Sequence, residues 1–528
     1  MGNVLTNNSS FAYSIEASLG VLQGSPEWFL TEPNAIGAFG ATPTKVKRTP
    51  ISKLRQNRKG TVVDVDNPTE MEVDMTMSAI RDFAEGFLYS VATNSDMMFR
   101  GLDAVAATGY TIPAATAAQG AKIQFVGTLA TLFYAVGYGE AANNGIFPVT
   151  ADTASTGTTI ARSSAVVETA PINAEVSLAG IRAEAGDLAL VVAGTIGTLT
   201  SGNNAAVNNI DFTTIGWTVG QRVHIGGDTA TNRFFGAGPI VSYGGARIRT
   251  IAAGTVTFDK LDATLITSDG TDTGAGGTLV PVDLLFSQFI RNVRSDHADY
   301  LERSYQFEAE FPNLYETDPP TPVAEPDGYW YSLGNRANEM SINNPLTDKA
   351  TMNFAFIGQT SEAIVDGASR KANAATPIEP INTEAFNTAA DFFRLGILDV
   401  DETGLTTDFT DMTATVNNNA SGEKVLGFVG NKFINNGNFE FSIATTALFT
   451  SPLVVSRVLD NTDVTMGWVQ RNNDGAISVD VPSAELDSDG LEIEPNVSIK
   501  IQLTVNAFVD SFFGTSIGMS LWPFYPAA

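Results

Sequence analysis

VSIKIQLTV, residues 497–505, places Val497, Ile499, Ile501, Leu503 and Val505 at every second position, with Ser, Lys, Gln and Thr between them. A period of two sends alternate side chains to opposite faces of an extended chain, the pattern of an antiparallel strand with one buried face. The same alternation occurs in SYQFEAEF (304–311), where Tyr305, Phe307, Ala309 and Phe311 fall on one face and Glu308 and Glu310 on the other. It returns at Met352, Phe354 and Phe356, and again at Phe439, Phe441 and Ile443. VDVDNPTEMEVDMTM (63–77) carries it through Val63, Val65, Met71, Val73 and Met75. The expected fold is mainly β, a β-rich α+β protein.

Between Ser78 and Asn94 the period becomes helical. Ile80, Phe83, Ala84, Phe87, Leu88 and Val91 share one face, while Arg81, Asp82 and Glu85 fall on the other. Thr76 or Ser78 supplies the N-cap oxygen. A second helix is expected from Asn382 or Thr383, with Glu384 in its first turn, Phe386, Ala389, Ala390 and Phe393 inward, and Gly396 ending it. From Gly194 to Lys260, DFTTIGWTVGQRVHIGG and ARIRTIAAGTVTFDK read as short strands between Gly turns, a small β-barrel inserted into a larger domain. The Gly- and Asp-rich SDGTDTGAGG (268–277) then returns the chain. The expected division is 1–193, 194–262 and 263–528, and PPTPVAEPDG (319–328) reads as a surface loop.

Composition narrows the function. Apolar residues make up 43% of the 528 and charged residues 17%, below the ~25% usual for a soluble domain, so neutral Thr, Asn, Ser, Gly and Ala must cover much of the surface. That texture suits short strands and large subunit contacts. The formal net charge of −28, from 58 acids against 30 bases, makes sequence-specific DNA binding improbable, yet lets a duplex slide past without sticking. Against this background Pro33 to Val63 contains no acid, while Lys45, Lys47, Arg48, Lys53, Arg55, Arg58 and Lys59 concentrate positive charge. Such a run is drawn to negative surface, and a neighbouring copy of the chain is the nearest supply. These seven residues are the expected oligomerisation site. Met1 to Ser10 lacks a basic stretch followed by an apolar one, and the longest apolar runs fall short of the ~20 residues that span a bilayer, so neither export by a leader nor a membrane partner is expected.

Catalytic and metal-binding patterns are weak. Cys is absent and His occurs twice, at His224 and His297, which removes thiolate metal sites and most His-dependent acid–base designs. Gly514 to Gly518 spells the G-x-S-x-G nucleophile elbow, but that motif needs its His after the Ser, and none follows Ser516. Asp487, Asp489, Glu492 and Glu494 lack the spacing of a calcium loop and read as a solvated acidic turn. Asp269 to Gly277 lacks the Lys and flanking elements of a phosphate loop. No catalytic, cofactor-binding or metal residue is assigned, and the chain is expected not to be an enzyme.

Three segments together carry a family resemblance: RTPISKLRQNRKGTVVDVD (48–66), MSAIRDFAEGFLYS (77–90) and ANEMSINNPLTDKATMNFAFIGQ (337–359). In this order and spacing they resemble the major tail tube proteins of long-tailed bacteriophages. KFINNGNFEFSIATTALFTSPLVVSRVLDNTDVTMGWV (432–469) followed by EIEPNVSIKIQLTVNAF (492–508) is similar to the closing half of the same domain. The resemblance implies two packed antiparallel sheets beside a helix, and subunits joined into rings that stack as a hollow conduit for DNA ejection. It implies a structural virion protein assembled in the host cytoplasm, with an acidic lumen through which DNA passes without specific binding. The implied partners are further copies of itself, tail terminator and tail tip proteins, and a tape measure protein in the lumen. Six copies per ring is the family default, favoured because one helix signal dominates; three copies with two tube-like units each is the alternative. The segment from Gly194 to Lys260 departs from compact family members and is expected on the outside of the ring. Competing readings are another β-rich virion or surface protein, such as a capsid decoration protein or adhesin, and a glycan depolymerase, which needs a carboxylate pair in a cleft.

Overall fold

A computed structural model of the chain describes residues 6, 9–49, 51, 53, 58–100, 105–112, 119, 122–123, 125–126, 129–150, 159–202, 210–235, 241–262, 265, 270–271, 280–312, 327–367, 370–373, 376–399, 408–449, 452–493 and 495–526. Strands dominate it. Among the described residues there are two α-helices, α1 (Met77–Leu88) and α2 (Leu453–Leu459). The chain divides into two compact units, one of Met1–Ser90, Asp296–Pro380 and Phe409–Thr446, the other of Val91–Ser295, Ile381–Asp408 and Ala447–Ala528. The expected surface loop at 319–328 lies outside the described residues except at its last two positions, and so does most of 268–277.

One long strand, Asp327–Asn344, organises the first unit. Its first half pairs with Tyr305–Phe311 and Thr360–Gly367, and its second half with Thr351–Gly358 and Phe409–Asn417. Tyr305–Phe311 continues to Ser10–Ser18, and Thr351–Gly358 continues to Arg58–Asp74; all these pairings are antiparallel. Where the partners change, Ser332 and Thr69 donate to Asn335 Oδ1 at 2.9 and 3.1 Å, and Asn335 Nδ2 donates to the Tyr305 carbonyl at 3.1 Å. These side chains are buried, so only mutual hydrogen bonding spares them the cost of desolvation, and that requirement helps hold the register at the switch.

Aromatic side chains from both sets of strands meet beneath α1. Phe307 lies 4.9 Å from Phe356, ring centre to ring centre, and Phe83 of the helix lies 4.9 Å from Phe354 and 4.9 Å from Tyr13. Thr76 Oγ1 caps the helix by accepting from the Ala79 amide at 3.1 Å. The helix stops at Leu88 and not at Asn94, because Tyr89 turns left-handed with φ 48° and its amide closes back on Glu85. Gly86 is the residue that lets the helix sit this close: a Cβ there would stand 2.5 Å from Tyr305 Oη.

Two acids on the faces opposite the apolar ones are buried. Glu308 is fully buried and pairs with Arg370 at 2.6 Å, and the same guanidinium reaches Glu310 at 2.6 Å. Glu85 is buried and pairs with Arg303. Strand and helix alternation marks the apolar face correctly, but a distant Arg can turn the other face into interior too.

The second unit contains a long antiparallel ladder. In spatial order it runs Leu188–Ala193, Ile196–Ser201, Thr255–Asp259, Gly244–Ala252, Arg222–Ile225, Val282–Leu285, Glu175–Ala183 and Leu129–Val136. The strands of 194–262 therefore do not close into a small barrel of their own. Ile225 opposes Leu284, so the edge that closure would use is already paired into the flanking strands. A further group centres on Gly475–Glu492, which pairs with Val464–Asn472, Gly518–Trp522 and Lys500–Ala507, while Phe392–Asp399 flanks Val464–Asn472.

A buried ion cluster ties these parts of the second unit together. Arg247 grips Asp259 through two bonds of 2.8 Å and gives a third, 2.8 Å, to Asp480, which also takes Lys260 at 3.1 Å. All four are at most 5% exposed. Burial alone would push the Asp480 carboxyl up, but Lys260 and Arg247 hold it well below the usual carboxylate range. Burial pulls the Lys260 ammonium down to about 8 against the pull of Asp480.

The helix expected at 382–396 does not form. Asn387 Oδ1 accepts from the Ala389 amide and Asp391 Oδ2 from the Asn387 amide, at 2.8 and 2.6 Å, and these local side-chain bonds favour turns over a helix. The chain then enters the Phe392–Asp399 strand. Helix α2 begins instead after Pro452 and is too short for its period to be read from sequence.

Candidate assembly interface

Thr42–Arg48 folds back on the first half of Arg58–Asp74 as a hairpin: Thr42 opposes Asp66, Lys45 opposes Val62, Val46 opposes Thr61 and Arg48 opposes Arg58. The chain enters this hairpin through Gly40, whose φ of +83° and lack of Cβ are both required, since a Cβ would lie 2.2 Å from the Trp330 ring.

Every residue of Thr42–Arg48 is exposed, as are Arg58, Lys59, Thr61, Val62 and Val63. A lone two-stranded ribbon is marginal in water, and this one leaves Val46 and Val63 more than half exposed, at 56% and 54%. Lys45, Lys47, Arg48, Arg58 and Lys59 form no ion pair among the described residues. Like charges face each other where Arg48 opposes Arg58, an arrangement that costs stability in an isolated sheet. Lys53 is exposed near the tip, and Arg55 lies outside the described residues. Six of the seven expected interface cations thus sit exposed on one hairpin.

The acids at the hairpin base are occupied. Lys424 reaches Asp66 at 2.8 Å and also binds Asp64, whose carboxyl it holds below its ordinary value. The hairpin Ser421–Glu423 with Phe433–Asn435 frames the loop that carries Lys424. Leu426 in that loop is fully exposed and Val429 is 53% exposed. Sequence reading missed the loop because its apolar residues have no period; the absence of periodicity beside a single Lys was the only signal.

The residues weighed for chemistry have structural roles. His224 is buried, its Nδ1 donating to the Gly226 carbonyl at 2.8 Å and its ring edge-on to Tyr525 at 4.9 Å. His297 is exposed beside Asp299. Ser516 is buried, its hydroxyl accepting from Asn292 Nδ2 at 2.9 Å, while Asn292 Oδ1 accepts from the amides of Ser516 and Ile517 at 3.0 Å each. Asn292 therefore clamps the G-x-S-x-G turn. Asp487 accepts from Asn506 at 2.8 Å across its hairpin, and among the described residues no group of three or more His, Asp or Glu converges as a metal site. No described helix is long and apolar enough to cross a membrane.

Residues 252–507 match the family model of the phage tail tube protein, just under half of the chain. Over that stretch the chain is similar to phage tail tube proteins. No curated protein matches it. The tail tube match takes in 337–359 and 432–469 of the segments that carry the resemblance and ends at Ala507, on the last residue of the Lys500–Ala507 strand. The basic hairpin and α1 precede it and lie outside the tail tube match; the hairpin stands as a candidate interface on its exposure and charge alone.

Proposed function

We propose that this tail structural protein self-assembles into rings that stack as the phage tail tube, and that the basic hairpin is an assembly element. One observation carries the reading: an exposed ribbon with uncovered valines, whose cations meet no acid among the described residues, in a chain of net charge −28. Neighbouring copies supply both the negative surface and the apolar cover it lacks. Segment 194–262 is then an elaboration on the outer side of a tube domain formed by 1–193 and 263–528. The lumen is lined mainly by Asp, Glu, Asn, Ser and Thr, along which DNA slides without adhesive Lys or Arg contacts. Tail terminator, tail tip and tape measure proteins are the partners at the tube's ends and in its lumen, and assembly takes place in the host cytoplasm.

A second reading concerns ring order. The one long helix, α1, follows Arg58–Asp74 within its own unit, whereas α2 follows Glu440–Leu448, most of which belongs to the other unit, so the two units do not repeat a strand-to-helix motif. Six copies per ring is therefore the reading, with three copies of two tube-like units each as the alternative.

Replacing Lys45, Lys47 and Lys59 with Glu tests the assembly reading. Surface charges contribute little to a core, so the variant should keep its circular dichroism spectrum and its melting temperature, while sedimenting as free subunits where the native chain forms polymer. Tubes formed as readily as by the native chain at low ionic strength contradict it.

A further inference from the structure

The Gly475–Glu492 strand and Lys500–Ala507 form a second hairpin, with Ala484 opposite Ala507, Leu486 opposite Val505 and Glu492 opposite Lys500, and the Phe449 amide donates to the Ile499 carbonyl beside it at 2.9 Å. Near its base Leu486, Ile501, Leu503 and Val505 are buried. Towards its tip the same alternation continues without cover: Leu491 is 43% exposed, Ile493 70%, Val497 58% and Ile499 40%. The apolar face of VSIKIQLTV is therefore only half used within the chain.

The charge around that uncovered end is mainly negative, with Lys500 facing it opposite Glu492. Residues 485–499 hold five acids, Glu485, Asp487, Asp489, Glu492 and Glu494, and no Lys or Arg. Glu485, Asp487 and Glu492 are exposed and form no ion pair among the described residues. The basic hairpin is its counterpart, with no acid from Pro33 to Val63 and with Val46, Val62 and Val63 uncovered. Each surface offers what the other lacks: opposite charge at the rim and aliphatic side chains to exclude water between them.

We infer that the acidic face carrying Glu485, Asp487 and Glu492, with the exposed Leu491, Val497 and Ile499, is the docking surface for the basic hairpin of a second copy of this chain. The inference rests on the assembly reading above and names the partner surface of that same site. A duplex is repelled by the acids, and an anionic lipid surface likewise, which leaves a basic protein surface as the complementary occupant. One head-to-tail contact of this kind, repeated from copy to copy, propagates a stack.

Charge exchange tests it with three full-length variants. The first carries Lys45→Glu, Lys47→Glu and Lys59→Glu; the second carries Glu485→Lys, Asp487→Lys and Glu492→Lys; the third carries all six. Circular dichroism melts check that each folds, and sedimentation with negative-stain images measures polymer. The first and second alone should each yield polymer reduced about tenfold or more, since like charges then meet across the contact. An equal mixture of the two should recover it, because each then offers the surface the other needs, and the third variant should recover it alone. If the second variant polymerises as the native chain does, the acidic face is not the docking surface, and the assembly role of the basic hairpin still stands. If both fail and neither the mixture nor the third variant recovers polymer, the two surfaces do not meet. Recovery by the third variant without recovery by the mixture places the contact within one chain and overturns the second copy as occupant. If the first variant also polymerises normally, the assembly reading itself fails.

Discussion

His224 is fully enclosed, and burial pulls its imidazole down to about 4 even though the Gly226 carbonyl accepts from it. A free imidazole titrates near 6.5, so between about 6.5 and 4 the unfolded chain binds a proton that the folded chain refuses. The stability this residue contributes is therefore present above pH ~6.5 and lost as pH falls through that window, by about 3 kcal/mol in all. Urea titrations at pH 7 and pH 4 on the native chain and on His224→Gln should show it: the variant loses less stability than the native chain over the interval. Equal losses contradict the account. Sequence marks His224 only as an isolated histidine, whereas Thr76 was legible as a cap because capping is local chemistry. Glu308 was not legible, since Arg370, which makes its burial tolerable, lies 62 residues away.

Elements repeat that division between local and distant causes. The strands at Tyr305–Phe311, Thr351–Gly358 and Lys500–Ala507 and the helix after Thr76 were all readable, because period and capping are written in neighbouring residues. The turn at 387–391 defeated the helical reading through two Asx bonds that no periodicity records. The ladder through 194–262 depends on Ile225 finding Leu284, and the ion cluster depends on Asp480 lying beside Arg247. Asp480→Asn leaves Lys260 and Arg247 buried with one carboxylate fewer, which should cost ~3–5 kcal/mol of unfolding free energy measured by urea titration. Adding Lys260→Met should recover part of that loss, because it removes a buried charge that has lost its hydrogen-bonded carboxylate. A double variant no more stable than Asp480→Asn alone shows that Lys260 and Asp480 are not coupled.

At the scale of the whole molecule, the tail tube match over 252–507 and the mainly antiparallel fold agree with the family resemblance. In the proposed assembly, neighbouring copies cover both the exposed basic hairpin and the exposed acidic face. The most direct measurement is electron microscopy of the purified protein across a range of concentration and salt. The account predicts hollow tubes or stacked rings with an open centre, sixfold when viewed down the axis, that shorten as salt is raised and screens the contacts between copies. Discrete single-chain particles at every concentration and at low salt contradict it.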